Sequence, residues 1–438
     1  MEFINTYLSG YIMPFLLMGC GIYLGIKLKF FYILHPIRTF RTLKDGAAGG
    51  GVSPFRALTQ ALAGTLGVGN MTGVATAICA GGAGAIFWMW VSALLAMSVK
   101  YFEVSLAVRC RRRGEDGYFG GAMYYIKDIF SKTFPKAAPV FGGGFAVLCV
   151  INSVLTGNII QVNSAAGAFL KIPPVFIGGL IAALVIPVAF GRGKRVSGVT
   201  FALIPVLTVF YTCASLFVII PNISRIPQVM GEILRGAFSF ESAGGGALGY
   251  MITRAIRFGT TRGIFSNEAG SGTSPTAHAA ANAKSPHHQG CFGIFEVFCD
   301  TILLCTMTAF VILLSDGTKR GFSGIGLTLY AFSSQAGRAV GMLVGVSVIL
   351  FAYATVICQL DYGTKALRYL TKRPFYHRAY LVLSIGAATV APFVSDGMMW
   401  QSADLVISLM TALNTVCLFW WALNTKDTVT ATNRRNDK

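Results

Sequence analysis

Charge is what this sequence has least of. Asp, Glu, Lys and Arg make up 12% of its 438 residues, about half the share of a soluble domain. Acids are scarcer still, 17 against 36 Lys and Arg. The ten cysteines include no C-x-x-C pair and no Cys/His group at metal-ligand spacing. They read as small packing residues in a reduced setting rather than a disulfide framework. The five histidines are scattered apart from His287 and His288, and neighbours on a helix point apart, so no metal pair is expected. There is no G-x-x-x-x-G-K-[ST] and no triad of nucleophile, base and orienting acid. Neither an enzyme nor a cofactor is expected. No Lys or Arg precedes Lys27, so the start does not read as a cleaved signal peptide.

What fills the chain instead is apolar: 54% hydrophobic residues, with a mean hydropathy of +0.63. Long apolar runs recur throughout, the pattern of an all-α polytopic membrane protein. The runs predict eleven spans, near 11–28, 54–79, 84–108, 142–169, 174–190, 197–221, 243–283 (long and interrupted), 289–315, 339–361, 379–395 and 400–424. Segments 119–133 and 224–238 read as amphipathic helices at the membrane surface. With the N-terminus outside, the inner segments hold 27 Lys and Arg and the outer loops six. That bias predicts N-terminus out and C-terminus in the cytoplasm, within a cell membrane. The run "RCRRRGED" (109–116) is then an inner anchor. The same sorting removes a nucleic-acid reading of the +19 net charge, because the charge follows topology and forms no patch. Membrane lipid is the expected surroundings.

Two spans break the apolar rule. Residues 64–84 contain seven glycines, and Asn70 falls at mid-span in Gly67-x-Gly69-Asn70-x-x-Gly73. Span seven carries Ser266-Asn267-x-x-Gly270-x-Gly272. Glycine is poor in helix interiors, and an unpaired amide in hydrocarbon costs several kcal/mol. A stripe of small residues packing helix on helix is the plain alternative. Two matched breaks, each with Asn three residues before Gly and five spans apart, favour an inverted-repeat carrier. Its repeats would be 54–221 and 243–424, with 11–28 peripheral, in one transmembrane domain spanning 1–438. Carbonyls that end one half-helix can hold a cation, and N–H groups that start the other can hold a carboxylate. A zwitterion with Na+ suits such a site.

Other charged residues lie within spans. Asp300 and Glu296 share one face of span eight. Acids there cost about 2.5–3.5 kcal/mol at the centre and default to function, with hydration near the inner end as the plain reading of Glu296. Lys100 and Glu103, three apart, read as an ion pair. Arg254, Arg257 and Arg262 approach the second break, as a gate or as partners of Glu268 or loop acids.

At these residues the sequence resembles the alanine or glycine:cation symporter family. The stretches are "GVGNMTGVATA", "GGAGAIFWMW", "RGIFSNEAGSGT", "KYFEVSLA" (100–107), "GNIIQVNS" (157–164), "DTILLCT" (300–306) and "FAYAT" (351–355). The likeness runs from about residue 10 to 425. It implies a leucine-transporter-like 5+5 inverted repeat with an extra N-terminal helix, and Na+-coupled import of a small neutral amino acid. By resemblance, Gly67, Gly69 and Asn70 form the first wall of the substrate site, and amides on the Gly73 side of the break are expected to take the substrate carboxylate. Gln161 and Asn163 match a polar stretch of span four, and Ser266, Asn267 and Gly270 the second break. Thr355 matches a hydroxyl near cation and substrate. Gly67, Thr355, Asp300 and Asp361 are the candidate cation groups.

The sequence departs from the family pattern at "FAYATVICQLDYGT" (351–364). Ala354 removes a hydroxyl that could bind Na+. Gln359 stands for a bulky Trp, which would admit a longer or more polar substrate. Asp361 and Thr364 suggest an acid moved by one turn. Proton coupling, or a serine- or glutamine-like substrate, is the alternative these changes raise. A channel lacks its continuous polar stripe. A potential of 100 mV supplies about 2.3 kcal/mol per charge and a tenfold Na+ gradient about 1.4 kcal/mol, so one Na+ would drive several-hundredfold accumulation.

Overall fold

The structure, a computed structural model, describes residues 5, 7–44, 51–115, 117–169, 171–189, 192–238 and 245–425, with backbone alone at 192–194, 245–253 and 396. It is helical apart from one small hairpin, in which Arg112–Gly114 pairs with Gly117–Phe119. Among the described residues, seven helices are long and apolar enough to cross a membrane, and one bent pair makes an eighth crossing. Of the other expected spans, 174–190 is the short apolar helix Pro174–Ala189. Span 379–395 is the 17-residue Pro374–Val390, and span seven is interrupted. Phe15, Val140, Val206 and Val382 are more than 60% exposed, a lipid-facing surface rather than a wet one.

The first bent crossing begins where the sequence says it should. Ser53 caps Pro54–Thr65 by accepting from the Arg56 N–H at 3.2 Å, with Pro54 in the first turn. The helix stops at Leu66, whose ψ of 79° is not helical. The chain resumes as the wide turn Gly69–Gly73 and helix Val74–Gly81, bent by 51° from the first half.

The second break has a different cause. Helix Gly245–Asn267 ends when the Asn267 Oδ1 accepts the Ala269 N–H at 2.9 Å, an Asx turn that competes with the helix ladder. Glu268 follows at φ 51°, and Gly270 and Gly272 at 85° and 75°. A positive φ is strained for Glu and free for Gly. The helical turn Pro275–His278 continues the crossing.

Helix Gly84–Arg109 is the post around which these elements pack, with 83% of its apolar window buried. Gly245–Asn267 and Pro286–Val297 lie against it. The expected segment 119–133 contains helix Ala122–Ser131, which buries Tyr125, Ile126 and Phe130 beside Ala138–Val154. Segment 224–238 contains Ile226–Phe238, which packs on Gly84–Arg109. The hairpin was not expected inside the basic run. Helix Gly324–Ala336 was not expected at all; it packs beside Arg338–Leu370 and donates from Thr328 Oγ1 to the Met71 carbonyl at 3.2 Å.

Candidate functional site

The two breaks meet at Asp300. This residue sits in Phe298–Cys305, a stretch of π-type turns between Pro286–Val297 and Thr306–Leu313. Such widened turns recur at functional positions because they push one side chain out of helical register. The carboxylate is fully buried. Its Oδ1 accepts from Asn70 Nδ2 at 2.7 Å, and its Oδ2 from Ser266 Oγ and Thr301 Oγ1, each at 2.8 Å. Asn70 Nδ2 also reaches Ser266 Oγ at 3.0 Å, while Asn70 Oδ1 has no partner. Asn267 Nδ2 donates to Thr301 Oγ1 at 3.1 Å. One acid thus takes hydrogen bonds from both broken crossings. It has no ion-pair partner among the described residues. Hard cations choose oxygen donors of this kind.

A second group lies behind the first break. The Val68 N–H, freed by the break, donates to Gln161 Oε1 at 3.1 Å. A Cβ on Gly67 would stand 2.5 Å from that oxygen and 2.7 Å from Thr355 Oγ1. Only glycine allows the backbone to come this close. Thr355 Oγ1 itself returns to the Phe351 carbonyl at 3.0 Å. Beyond it Gly69 packs on Phe265 and Ser266. Gly73 is buried, yet apart from its chain neighbours and its own helix backbone no heavy atom lies within 4 Å of the place its Cβ would take.

The remaining candidates are placed elsewhere. Asn163 donates to the carbonyls of Ala391 and Val394 at 3.1 and 3.0 Å and pins that turn. Gly270 turns toward Leu17, Thr411 and Thr415. Asp361 Oδ2 is held by Gln60 Nε2 at 2.8 Å and Lys365 Nζ at 2.7 Å. The four candidate cation groups therefore form no single site: Gly67 and Thr355 stand together, Asp300 is with Asn70, and Asp361 has its own salt bridge. Thr364 returns its hydroxyl to the Leu360 carbonyl. Gln359 does not open space. It lies against Gly157 and donates to Glu268 Oε1 at 2.7 Å. Thr273 holds the other Glu268 oxygen.

Several charge pairings differ from expectation. Lys100 does not pair with Glu103. Its ammonium bonds Ser274 Oγ at 2.8 Å and Glu296 Oε1 at 3.3 Å. Glu296 is not hydrated; it is fully buried, and His278 Nε2 lies 3.0 Å from its Oε2. Glu103 turns instead to the Gly272 N–H and Asn414. Arg262 does not reach Glu268. It makes a two-point pair with Asp404 at 3.3 and 3.4 Å and lies 4.6 Å over the Trp400 ring. Arg257 lies over Tyr11. Sequence spacing overlooked Thr301, Gln60 and His278, and treated Glu268 only as a possible arginine partner. Thr301 adjoins Asp300, and Glu268 lies inside the break motif, so both were within reach.

A model of the sodium:alanine symporter family matches residues 1–435. A sodium/alanine symporter of Methanococcus maripaludis is 36% identical, over 95% of this chain and 92% of its own. A probable sodium/glutamine symporter of Bacillus subtilis is 34% identical, over 95% and 86%. Among solved structures, the nucleobase-cation-symport-1 family transporter MHP1 superposes with a TM-score of 0.51, covering 83% of this chain and 75% of its own at 14% identity. A manganese transporter of Eremococcus coleocola gives 0.51, with 84% and 76% covered at 14% identity. At that identity the likeness is one of fold.

Proposed function

Because this chain belongs to the sodium:alanine symporter family, a family of Na+-coupled amino-acid symporters, we propose that it imports a small neutral amino acid together with Na+ by alternating access. The reading includes the orientation given by the basic residues, N-terminus outside and C-terminus in the cytoplasm. It also takes 54–221 and 243–424 as inverted repeats, each contributing one broken crossing.

The observation that carries the reading is Asp300, a buried carboxylate tied to Asn70 of one break and Ser266 of the other. A Na+ ion at this carboxylate, with Thr301 Oγ1 and the free Asn70 Oδ1 beside it, neutralises a charge that is otherwise costly in the membrane. It also holds the two half-helices at one separation. The amino acid then lies between the breaks, its carboxylate on N–H groups of the Gly69–Gly73 side and its ammonium on carbonyls near Ser266. Binding of ion and amino acid is coupled because both need the same separation of the breaks.

Alanine uptake into proteoliposomes tests this. An inward Na+ gradient is expected to raise initial uptake at least about tenfold over choline; equal rates in the two salts would defeat the coupling. Gly67→Ala checks the geometry behind the first break. Its methyl must displace Gln161 or Thr355, an overpacking that costs about 1–3 kcal/mol. Uptake is expected to fall roughly tenfold or more, with the protein still monodisperse in detergent. Uptake within twofold of the parent would show that this close approach is not needed.

A further inference from the structure

The second break also meets another buried acid, at Gly272 rather than at Ser266. Glu103 reaches it from helix Gly84–Arg109 and is fully buried. Its Oε1 accepts the Gly272 N–H at 3.0 Å and Asn414 Nδ2 at 2.5 Å, and its Oε2 has no partner. No Lys, Arg or His lies within ion-pair distance of it among the described residues. Lys100, one turn away, is committed to Ser274 and Glu296.

Further oxygen atoms stand at the Gly270 turn, which Asn414 ties to this acid. Asn414 Nδ2 also donates to the Gly270 carbonyl at 2.8 Å, so that carbonyl and the carboxylate share one donor. Thr415 Oγ1 stands 3.4 Å from where a Gly270 Cβ would be, and is fully buried without a partner. Thr411, one turn along the same helix, turns its Cγ2 methyl to the same place at 3.1 Å. Thr411 also lines a small, mostly apolar cavity between the N-terminal helix, Gly245–Asn267 and the last helix, with Met13, Phe265, Ile407 and Asp404 among its walls.

We propose that Glu103, with the hydroxyl of Thr415 and the Gly270 carbonyl, binds a second Na+ behind the second broken crossing. The proposal rests on the Na+-coupled reading above and adds one ion to it. Each donor is an oxygen, as a hard monovalent cation requires. The ion supplies the positive charge that a carboxylate buried in a membrane bundle lacks. It also acts on the break itself, since Glu103 holds the Gly272 N–H and Asn414 holds the Gly270 carbonyl. Occupancy at Glu103 thereby sets the shape of the loop that presents Ser266 to Asp300.

Counting coupled ions tests the proposal. In proteoliposomes clamped at zero potential under a tenfold Na+ gradient, the alanine ratio at which net flux vanishes rises tenfold per coupled Na+. Glu103→Gln retains the acceptor for Gly272 and Asn414 but removes the charge, so its null-flux ratio is expected to be about tenfold below the parent's. An unchanged ratio would show that Glu103 only staples the loop, and would overturn the site. Should Glu103→Gln fail to fold, Thr415→Val removes one oxygen with little change in volume. It is expected to raise the half-activating Na+ concentration about fivefold while leaving alanine affinity at saturating Na+ as in the parent. Unaltered Na+ activation in Thr415→Val overturns the proposal too. A parent protein indifferent to Na+ would remove the transport reading itself, which is a distinct result.

Discussion

Replacing Asp300 by asparagine is expected to lower Na+-driven alanine uptake at least about 100-fold, the equivalent of roughly 3 kcal/mol of lost ion binding. Asparagine has the same shape. It can still accept from Asn70 through Oδ1, but its amide nitrogen cannot accept from Ser266 and Thr301, which both donate to Oδ2 in the parent. The change therefore removes the negative charge and crosses two donors with a third. Stability should move the other way. Without Na+, the parent buries an unpaired carboxylate, and a neutral residue of the same volume relieves that cost. Purified Asp300→Asn is expected to melt at or above the parent in Na+-free buffer, and to lose at least half of the upward shift that Na+ gives the parent, the remainder belonging to the ion at Glu103. The two readouts separate an ion-binding role from a merely structural one. A variant that unfolds early yet keeps the whole Na+ shift would mean that Asp300 only braces the breaks. Na+-driven uptake within a few fold of the parent would remove Asp300 from the ion site.

The breaks were legible in the sequence because each violates the rule that built its surroundings. Glycines and an Asn at mid-span make no sense in a straight apolar helix, so Asn70 and Asn267 could be read as structural signals without any fold. Both crossings are interrupted where those residues stand. The partners were not legible for a related reason. Helical spacing tells which residues share a face, and it put Lys100 beside Glu103 and Asp300 beside Glu296. It does not tell what that face meets. Lys100 found Glu296 and Ser274 on two other elements. Asp361 found Gln60, 301 residues away. Asp300 was singled out on cost alone, as an acid in a span, and that argument holds wherever the partners are. Gln359 shows the limit of reasoning by substitution. Replacing a bulky residue by a smaller one suggested space, but the amide met Glu268 at the strained turn of the second break. Helix Gly324–Ala336 escaped notice because it is 13 residues long and ends in Ser333, Ser334 and Gln335, too short and too polar at one end to read as a span.

The largest loss of stability is expected from Lys100→Met. Lys100 is fully buried, and among the described residues its ammonium is the one formal cation that the Glu296 carboxylate meets besides the titratable His278. Removing one partner of a buried pair leaves the other charge unpaired, at a cost of about 3–5 kcal/mol. Methionine fills the space of the aliphatic stem, so the loss isolates the charge from the packing. Ser274 also loses its donor, and Ser274 opens the helical turn Pro275–His278 that completes the second crossing. The damage should reach the break and not only the pair. Lys100→Met is expected to show the lowest melting temperature of the variants considered, with little folded protein recovered at 37 °C. Pairing it with Glu296→Gln removes the orphaned charge, and the double variant is expected to regain more than half of the lost melting temperature, because the two residues act as one unit. The glutamine side chain can still meet His278, whose other ring nitrogen lies 2.7 Å from Gln289 Nε2. If the two losses simply add, Lys100 and Glu296 are not coupled through their charges, and the buried pair is no brace for the second crossing.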